Sequence, residues 1–395
     1  MMDVKRMYAK NLENELDKPF ISILVGPRQV GKSTLMQHLQ VICKKQKKKT
    51  LYLNLEDPRD LQFFNHPEEE ILEKLETAGD VIFIDEFHYL KNATKLFKIL
   101  YDSKKKIKIV ASGSSAIEIH KHLQESLAGR YRKTQIFPLT LKEYFSKKNP
   151  FNHYLVFGGM PGLLHEDSDT EKMNLLNNII QAYLLKDIKS LIKEENVRAF
   201  NHLLQLLAQN QGSVVSVANL AREIGLSEPT IQTHLEIMSQ TFVCYRLNSY
   251  ARNLANEIKK SKKYYLFDLG IRHSLLADFS EISRRQDIGI ISETLVLLAI
   301  LPQLKPNMDV KFWRTRQGEE VDFILLKNRI PYPVEVKYNF TGTVIPTGLK
   351  IFLSRYPEAP GAQIITTTAQ NSLWFDGREI KITALKECDQ LDYLE

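Results

Sequence analysis

The chain has 395 residues, 43% of them hydrophobic and 26% charged, and 54 Lys and Arg against 47 Asp and Glu leave a formal charge of +7. This composition excludes a disordered or fibrous polymer, and the length exceeds what one ordinary core serves, so two or three domains are expected. The most apolar windows, Ile21 to Val25 and Thr294 to Leu301, fall far short of the roughly 20 residues of a membrane span, and the polar N-terminus has no signal-peptide core, so a cytoplasmic protein without membrane contact is expected.

Cys43, Cys244 and Cys388 form no CxxC pair, which gives no sign of a disulfide framework or a zinc site. The net charge favours a polyanion only mildly at this length. Lysine clusters at Lys44 to Lys49, Lys104 to Lys106 and Lys259 to Lys263 read either as a nucleic-acid path or as solvated helix ends and loops.

From Ile21 to about Phe137, short apolar strands alternate with helices. The strands are Ile21 to Val25, Leu51 to Leu55, Val81 to Ile84, Ile107 to Ser112 and Lys133 to Phe137, and the alternation predicts an α/β, doubly wound parallel sheet. Between the first strand and a helix beginning near Lys32 lies Gly26-Pro27-Arg28-Gln29-Val30-Gly31-Lys32-Ser33, a full GxxxxGK[ST] match, with Thr34 completing the set. The glycines allow backbone N–H groups to turn onto phosphates, and the helix N-terminus adds its positive end. Lys32 is expected to reach the β and γ oxygens of ATP, and Ser33 to offer a hydroxyl to Mg²⁺.

The strand Val81 to Ile84 ends in Asp85-Glu86. Asp85 is placed to hold Mg²⁺ through water and Glu86 to polarise the attacking water, unless Glu86 only caps the following helix. After the next strand, Ser112 or Ser114 is a candidate γ-phosphate sensor, the alternative being an ordinary Ser-rich turn. Arg130, before the fifth strand, is a candidate catalytic arginine acting on a neighbour's nucleotide, which would require a homo-oligomer; the alternative is a salt-bridge partner.

Leu141 to about Ile192 reads as a helical lid interrupted by the breaker cluster Gly158-Gly159-Met160-Pro161-Gly162. Asn201 to Leu247 reads as a helical unit ending in a strand-like Phe242 to Leu247. From Tyr264 onward, the strands Tyr264 to Phe267, Val310 to Arg314, Val321 to Leu326, Tyr332 to Val336 and Gln363 to Thr367 accompany a long apolar helix at Ile290 to Leu301. The expected division is residues 1–140, 141–200, 201–262 and 263–395.

The order of these marks, from Gly26 to Ser33 through Asp85-Glu86, Ser112 to Ser115, Leu127 to Arg130 and Gly158 to Pro161, resembles bacterial and archaeal AAA-type ATPases with a C-terminal domain of unknown function. Tyr183 with Asp187, Tyr264 to Gly270, Gly318 to Asp322 and Glu335-Val336-Lys337 extend the resemblance over nearly the whole chain. It implies a P-loop ATPase core, a winged helix-turn-helix and a restriction-endonuclease-like α/β domain.

Val217 to Leu235 has Ala221 and Gly225 at helix-turn-helix spacing, with Ser227 as N-cap and Pro229 in the first turn. The outward positions of its second helix include Glu228, Gln232, Thr233 and Glu236, and the two acids weaken direct DNA readout. Near the end, Asp322 and Glu335-Val336-Lys337 form a D…ExK arrangement, with Glu293 on the preceding helix. Alternation puts Glu335 and Lys337 on one strand face, a set able to collect Mg²⁺ for phosphodiester cleavage or to persist as an inactive scaffold. Two functions stand open: a nucleic-acid-associated MgATPase with a nuclease domain, or an ATP-dependent switch whose later domains bind protein.

Overall fold

The computed structural model describes residues 4–90, 92–103, 107–113, 127–145, 150–183, 191–192, 196–251, 262–391 and 393. Two compact units result. One comprises Met1–Leu139 with Met160–Gly162 and Glu236–Val243, and the other Thr140–Gly159, Leu163–Leu235 and Cys244–Glu395.

The first unit is built on five parallel strands, β1 (Ile21–Val25), β2 (Thr50–Asn54), β3 (Val81–Asp85), β4 (Lys108–Gly113) and β5 (Tyr131–Gln135), in the order β2-β3-β4-β1-β5. β1 and β3 are buried along their whole length, which is why they read as unbroken apolar runs rather than as alternations. Ile21, Ile23, Val25, Ile82 and Ile84 pack with Phe97 and Leu100 of helix α1 (Ala93–Asp102) in one core. The order reverses at β1, whose successor lies across the sheet while β4 returns beside it. Such switch points open a crevice at the C-terminal strand ends, where open α/β sheets bind ligands.

Helices α2 (Val217–Ile224, in the second unit) and α3 (Glu228–Gln240, in the second unit up to Leu235) are joined through Gly225, left-handed at φ 77, and the Ser227 hydroxyl accepts the Thr230 N–H at 3.3 Å, as expected of its cap. Glu228, Gln232 and Thr233 are exposed, and Glu236 is half-buried. A small antiparallel sheet follows in the order β6 (Val214–Val215), β8 (Lys262–Leu266), β7 (Cys244–Asn248). The strand expected at Tyr264 to Phe267 is thus β8, paired with the strands that flank the helix pair; its apolar run signals a strand but not which sheet it joins.

The C-terminal sheet has the order β13-β14-β12-β11-β10-β9, built from β9 (Met308–Arg314), β10 (Glu320–Lys327), β11 (Ile330–Val336), β12 (Ala362–Thr366), β13 (Gln370–Phe375) and β14 (Arg378–Ala384). It is mixed: β11, β12 and β14 run parallel, and the other neighbours antiparallel. Trp313, Val321, Ile324, Leu349, Phe352 and Ile364 form its core. Among the described residues, no helix is long and apolar enough to cross a membrane.

Candidate functional site

The loop after β1 takes the backbone its glycines permit. Gly26 lies at φ 149 with its missing Cβ position 2.2 Å from the Ile136 carbonyl oxygen, and Gly31 lies at φ 91 immediately before the helix α4 (Lys32–Lys45). A side chain at Gly26 would both strain the backbone and collide with β5's continuation. Between them Pro27 and Val30 are buried, Arg28 is half-buried against Glu56 at 3.1 Å, and Gln29 is exposed at φ 60. Lys32 is 4% exposed, and its Nζ donates to the carbonyls of Gly26 and Pro27 at 3.0 and 2.8 Å, so the ammonium is held inside the loop's curve. Ser33 and Thr34 are exposed in the first helical turn.

β4 stands between β1 and β3, with Leu24 opposite Ser112 and Ile84 opposite Ala111. That register brings Ser112 against the acidic pair. Its hydroxyl, wholly buried, donates to Asp85 Oδ1 and accepts the Glu86 N–H at 3.4 Å, while Tyr52 Oη donates to Asp85 Oδ2 at 2.9 Å. Glu86 sits in the left-handed region at φ 53, a conformation few non-glycine residues adopt without surrounding support. Burial alone would raise its carboxyl, yet the facing His88 imidazole and the charges of Lys32 and Arg28 hold it down at about 2. His88 Nδ1 is 3.2 Å from Glu86 Oε2, within ion-pair reach though not aligned for a hydrogen bond.

Lys32, Asp85, Glu86 and Ser112 are thus brought to the C-terminal edge of the sheet together. Ser112 is committed to the acidic pair, and Ser114 lies outside the described residues. Arg130 is not part of this cluster. It precedes β5 at the opposite strand end, its carbonyl accepting the Ile21 N–H, about 17 Å of strand away at roughly 3.3 Å per residue. There its guanidinium forms a fork with Asp102 at 3.0 and 3.1 Å.

Arg6 is a participant that the sequence reading missed. It is 5% exposed and donates to the carbonyls of Val30, in the loop, and Phe137, beyond β5, at 2.8 and 2.6 Å. A lone arginine in a polar N-terminal segment carries no spacing signal; only the fold brings it beneath the loop.

In the second unit, Asp322 accepts the Val336 N–H at 2.8 Å, and Lys337 Nζ lies 2.7 Å from Glu335 Oε1. Glu335 is 4% exposed, and its Oε2 is buried with no hydrogen-bond partner. Glu293, near enough to Asp322 to be raised by it, accepts from Tyr265 Oη and from Lys263 Nζ at 3.4 Å, and Lys263 also pairs with Glu320. Burial pushes all three carboxyls up. Glu293 reaches about 7 and Glu335 about 8, each raised further by Asp322, whereas Lys263 and Lys337 pull against the rise at Asp322. Among the described residues, no group of three or more His, Cys, Asp or Glu is arranged to hold a metal ion. Asp322 and Glu335 with Lys337 are therefore brought together, and Glu293 is engaged by Lys263 and Tyr265. Lys263 belongs to a lysine cluster that reads as a nucleic-acid path or a solvated surface, yet its side chain is 2% exposed in an internal ion pair. Lys104 to Lys106 and Lys259 to Ser261 lie outside the described residues.

The family mark Tyr264 to Gly270 also has a physical place. Asp268, 1% exposed, accepts the Gly159 N–H at 2.7 Å and the Ile271 N–H at 3.1 Å, so it grips the Gly158-Gly159 turn while capping the helix α5 (Leu269–Leu276). A Cβ at Gly270 would meet the Phe157 carbonyl oxygen at 1.9 Å.

Three family models match the chain in succession: an AAA domain over residues 18–145, a domain of unknown function (DUF8612) over 148–285 and another (DUF4143) over 288–387. The fold and the loop thus define a nucleotide-binding, AAA-type P-loop ATPase domain followed by domains of unknown function. Relatives include an uncharacterised protein of Mycobacterium tuberculosis, 25% identical over 87% of this chain and 76% of that protein, and one of Methanocaldococcus jannaschii, 27% identical over 81% and 75%. Among solved structures, a replication initiator DnaA bound to AMPPCP and single-stranded DNA covers 60% of this chain and 88% of its own at 15% identity, with a TM-score of 0.33. That likeness is too slight to argue from, and the fold rests on the sheet order and the loop.

Proposed function

We propose that the chain hydrolyses MgATP at the Gly26 to Ser33 loop and uses the nucleotide cycle to rearrange its later domains. The observation that carries hydrolysis, beyond binding, is the Ser112 hydroxyl joined to both members of the acidic pair. It holds the Asp85 carboxylate and the backbone of Glu86, whose own carboxylate faces His88, so the two acids stand in different surroundings, as two different roles require.

The donor set fits the group. Gly26 and Gly31 give the loop its inward turn, Lys32 is poised at its centre, and the Ser33 hydroxyl and Asp85 carboxylate are the expected holders of Mg²⁺, which when bound would neutralise phosphate charge. Glu86, kept ionised, is the base that orients and polarises a water molecule; Arg28 and Lys32 sustain that ionisation. Glu86→Gln should retain MgATP binding and lose turnover. A Glu86→Gln protein that hydrolyses ATP at the parent rate refutes the assignment.

A second reading is supported by the buried, unpartnered Glu335 Oε2: Asp322 and Glu335 would share a divalent ion, with Lys337 beside them, in a nucleic-acid-cleaving domain. The mild positive charge supports a nucleic-acid partner, and the exposed Glu228 opposes it at the helix pair, which we take to be a winged helix-turn-helix. Incubation with Mn²⁺ or Mg²⁺ and single-stranded, duplex and branched DNA tests it. Absence of cleavage, or cleavage unaltered by Asp322→Ala, leaves the protein-directed switch as the reading.

A further inference from the structure

Arg6 lies outside the GxxxxGK[ST] run, yet its guanidinium touches that run's backbone. Nη1 donates to the Val30 carbonyl at 2.8 Å and Nη2 to the Phe137 carbonyl at 2.6 Å, in a setting only 5% exposed. A second atom of the guanidinium's reach is visible at Gly31, whose Cβ position lies 3.4 Å from Arg6 Nη1. The Val30 carbonyl and the Gly31 N–H belong to one peptide unit. In a trans peptide these two groups point in opposite directions, and none of the peptide bonds here is cis. Drawing the carbonyl toward Arg6 therefore aims the Gly31 N–H away from it, to the side of the loop where Lys32 begins its helix.

The chain has three reasons to need such a clamp. Gln29 at φ 60 and Gly31 at φ 91 put a left-handed residue on either side of Val30, and at its glycine end the Val30–Gly31 peptide has no Cβ to restrain its plane. A guanidinium offers several donors in a fixed planar fork, so one side chain bridges the loop and the chain beyond β5 at once. Buried carbonyls that accept from a cation bind it more firmly than neutral partners do.

We propose that Arg6 is a positioning residue for nucleotide phosphate: by holding the Val30 carbonyl it presents the Gly31 N–H to the β-phosphate. This rests on the reading that the loop binds ATP. Arg6 acts through the loop and touches no reacting atom. Because ATP and ADP share the β-phosphate, and because the contact is the same before and during reaction, its loss raises KM and leaves kcat.

The test uses the full chain with Arg6→Ala, Arg6→Lys and Tyr8→Phe, measuring MgATP and MgADP binding by calorimetry, ATPase kcat and KM, and melting temperature. Arg6→Ala is expected to weaken both nucleotides about 10-fold or more, the scale of a lost charged hydrogen bond, with kcat at saturation kept within twofold. Arg6→Lys, whose single ammonium serves one carbonyl better than two, falls between Arg6→Ala and the parent. Tyr8→Phe, which alters only a hydroxyl beside the Phe137 N–H, binds as the parent does. Parent-like affinity for both nucleotides in folded Arg6→Ala overturns the proposal, as does parent-like affinity in Arg6→Lys if the alanine variant does not fold. A fall in kcat at unchanged KM also overturns it, marking a purely structural role. Failure of the parent itself to bind either nucleotide refutes the ATP reading, and the Arg6 role with it.

Discussion

Replacing Ser112 by Ala removes one oxygen from a fully buried position without disturbing the loop. The structure gives that oxygen two bonds, one donated to the Asp85 carboxylate and one accepted from the Glu86 N–H. A hydrogen bond to an ionised group is worth about 1.5–3 kcal/mol. If the Asp85 bond is needed in the transition state, its loss lowers kcat about 10- to 150-fold at 1.4 kcal/mol per decade. Substrate affinity, which rests on the loop amides and Lys32, should change far less. The assay is steady-state ATP hydrolysis with kcat and KM resolved, beside nucleotide titration and a melting curve confirming the fold. Folded Ser112→Ala that turns over within twofold of the parent would refute the view that Ser112 organises the acidic pair.

Other substitutions probe the remaining geometry. Gly26→Ala places a methyl 2.2 Å from the Ile136 oxygen at φ 149, so nucleotide binding should be lost in a titration, while Gly289→Ala, with open space around it and no positive φ, is tolerated. Arg130→Ala breaks an exposed fork to Asp102 and should leave the denaturant-unfolding midpoint nearly unchanged; if the arginine serves a neighbour's nucleotide, ATP turnover also collapses with binding intact. Asp268 is raised by burial from 3.8 to about 6. Its contribution to stability is therefore fully present below about pH 3.8 and is lost as pH rises through about 6, a span worth at most roughly 3 kcal/mol. Asp268→Asn should flatten that part of the melting temperature against pH, and an unchanged slope between pH 4 and 7 would remove the residue from the account.

β1, β3 and β4 are legible because each is buried along its whole length and bounded by loop residues; the limits of β1 agree, and those of the other strands shift by one or two positions, where apolarity does not mark the end of pairing. The loop and acidic pair were equally legible, since their chemistry is written in contiguous residues. Arg6, Tyr52 and His88 were not, because each reaches the site only through the fold. β13 and β14 escaped notice although a signal was present. Asp376-Gly377 between them, at φ 53 and 74, is the left-handed pair a tight hairpin demands. Lys263 misled for a different reason: a run of lysines advertises solvent, and nothing local announces that one member faces Glu293 and Glu320.

The Asp268 grip has a kinetic consequence. One carboxylate reaches 109 positions back to hold the Gly159 amide with one oxygen, and the first turn of α5 hangs from its other oxygen. Solvent cannot reach the Gly159 N–H without that carboxylate withdrawing, and its withdrawal uncaps the helix. Proton exchange at Gly159 and Ile271 should therefore follow one opening event with a single free energy, so that these distant amides report on the same local unfolding.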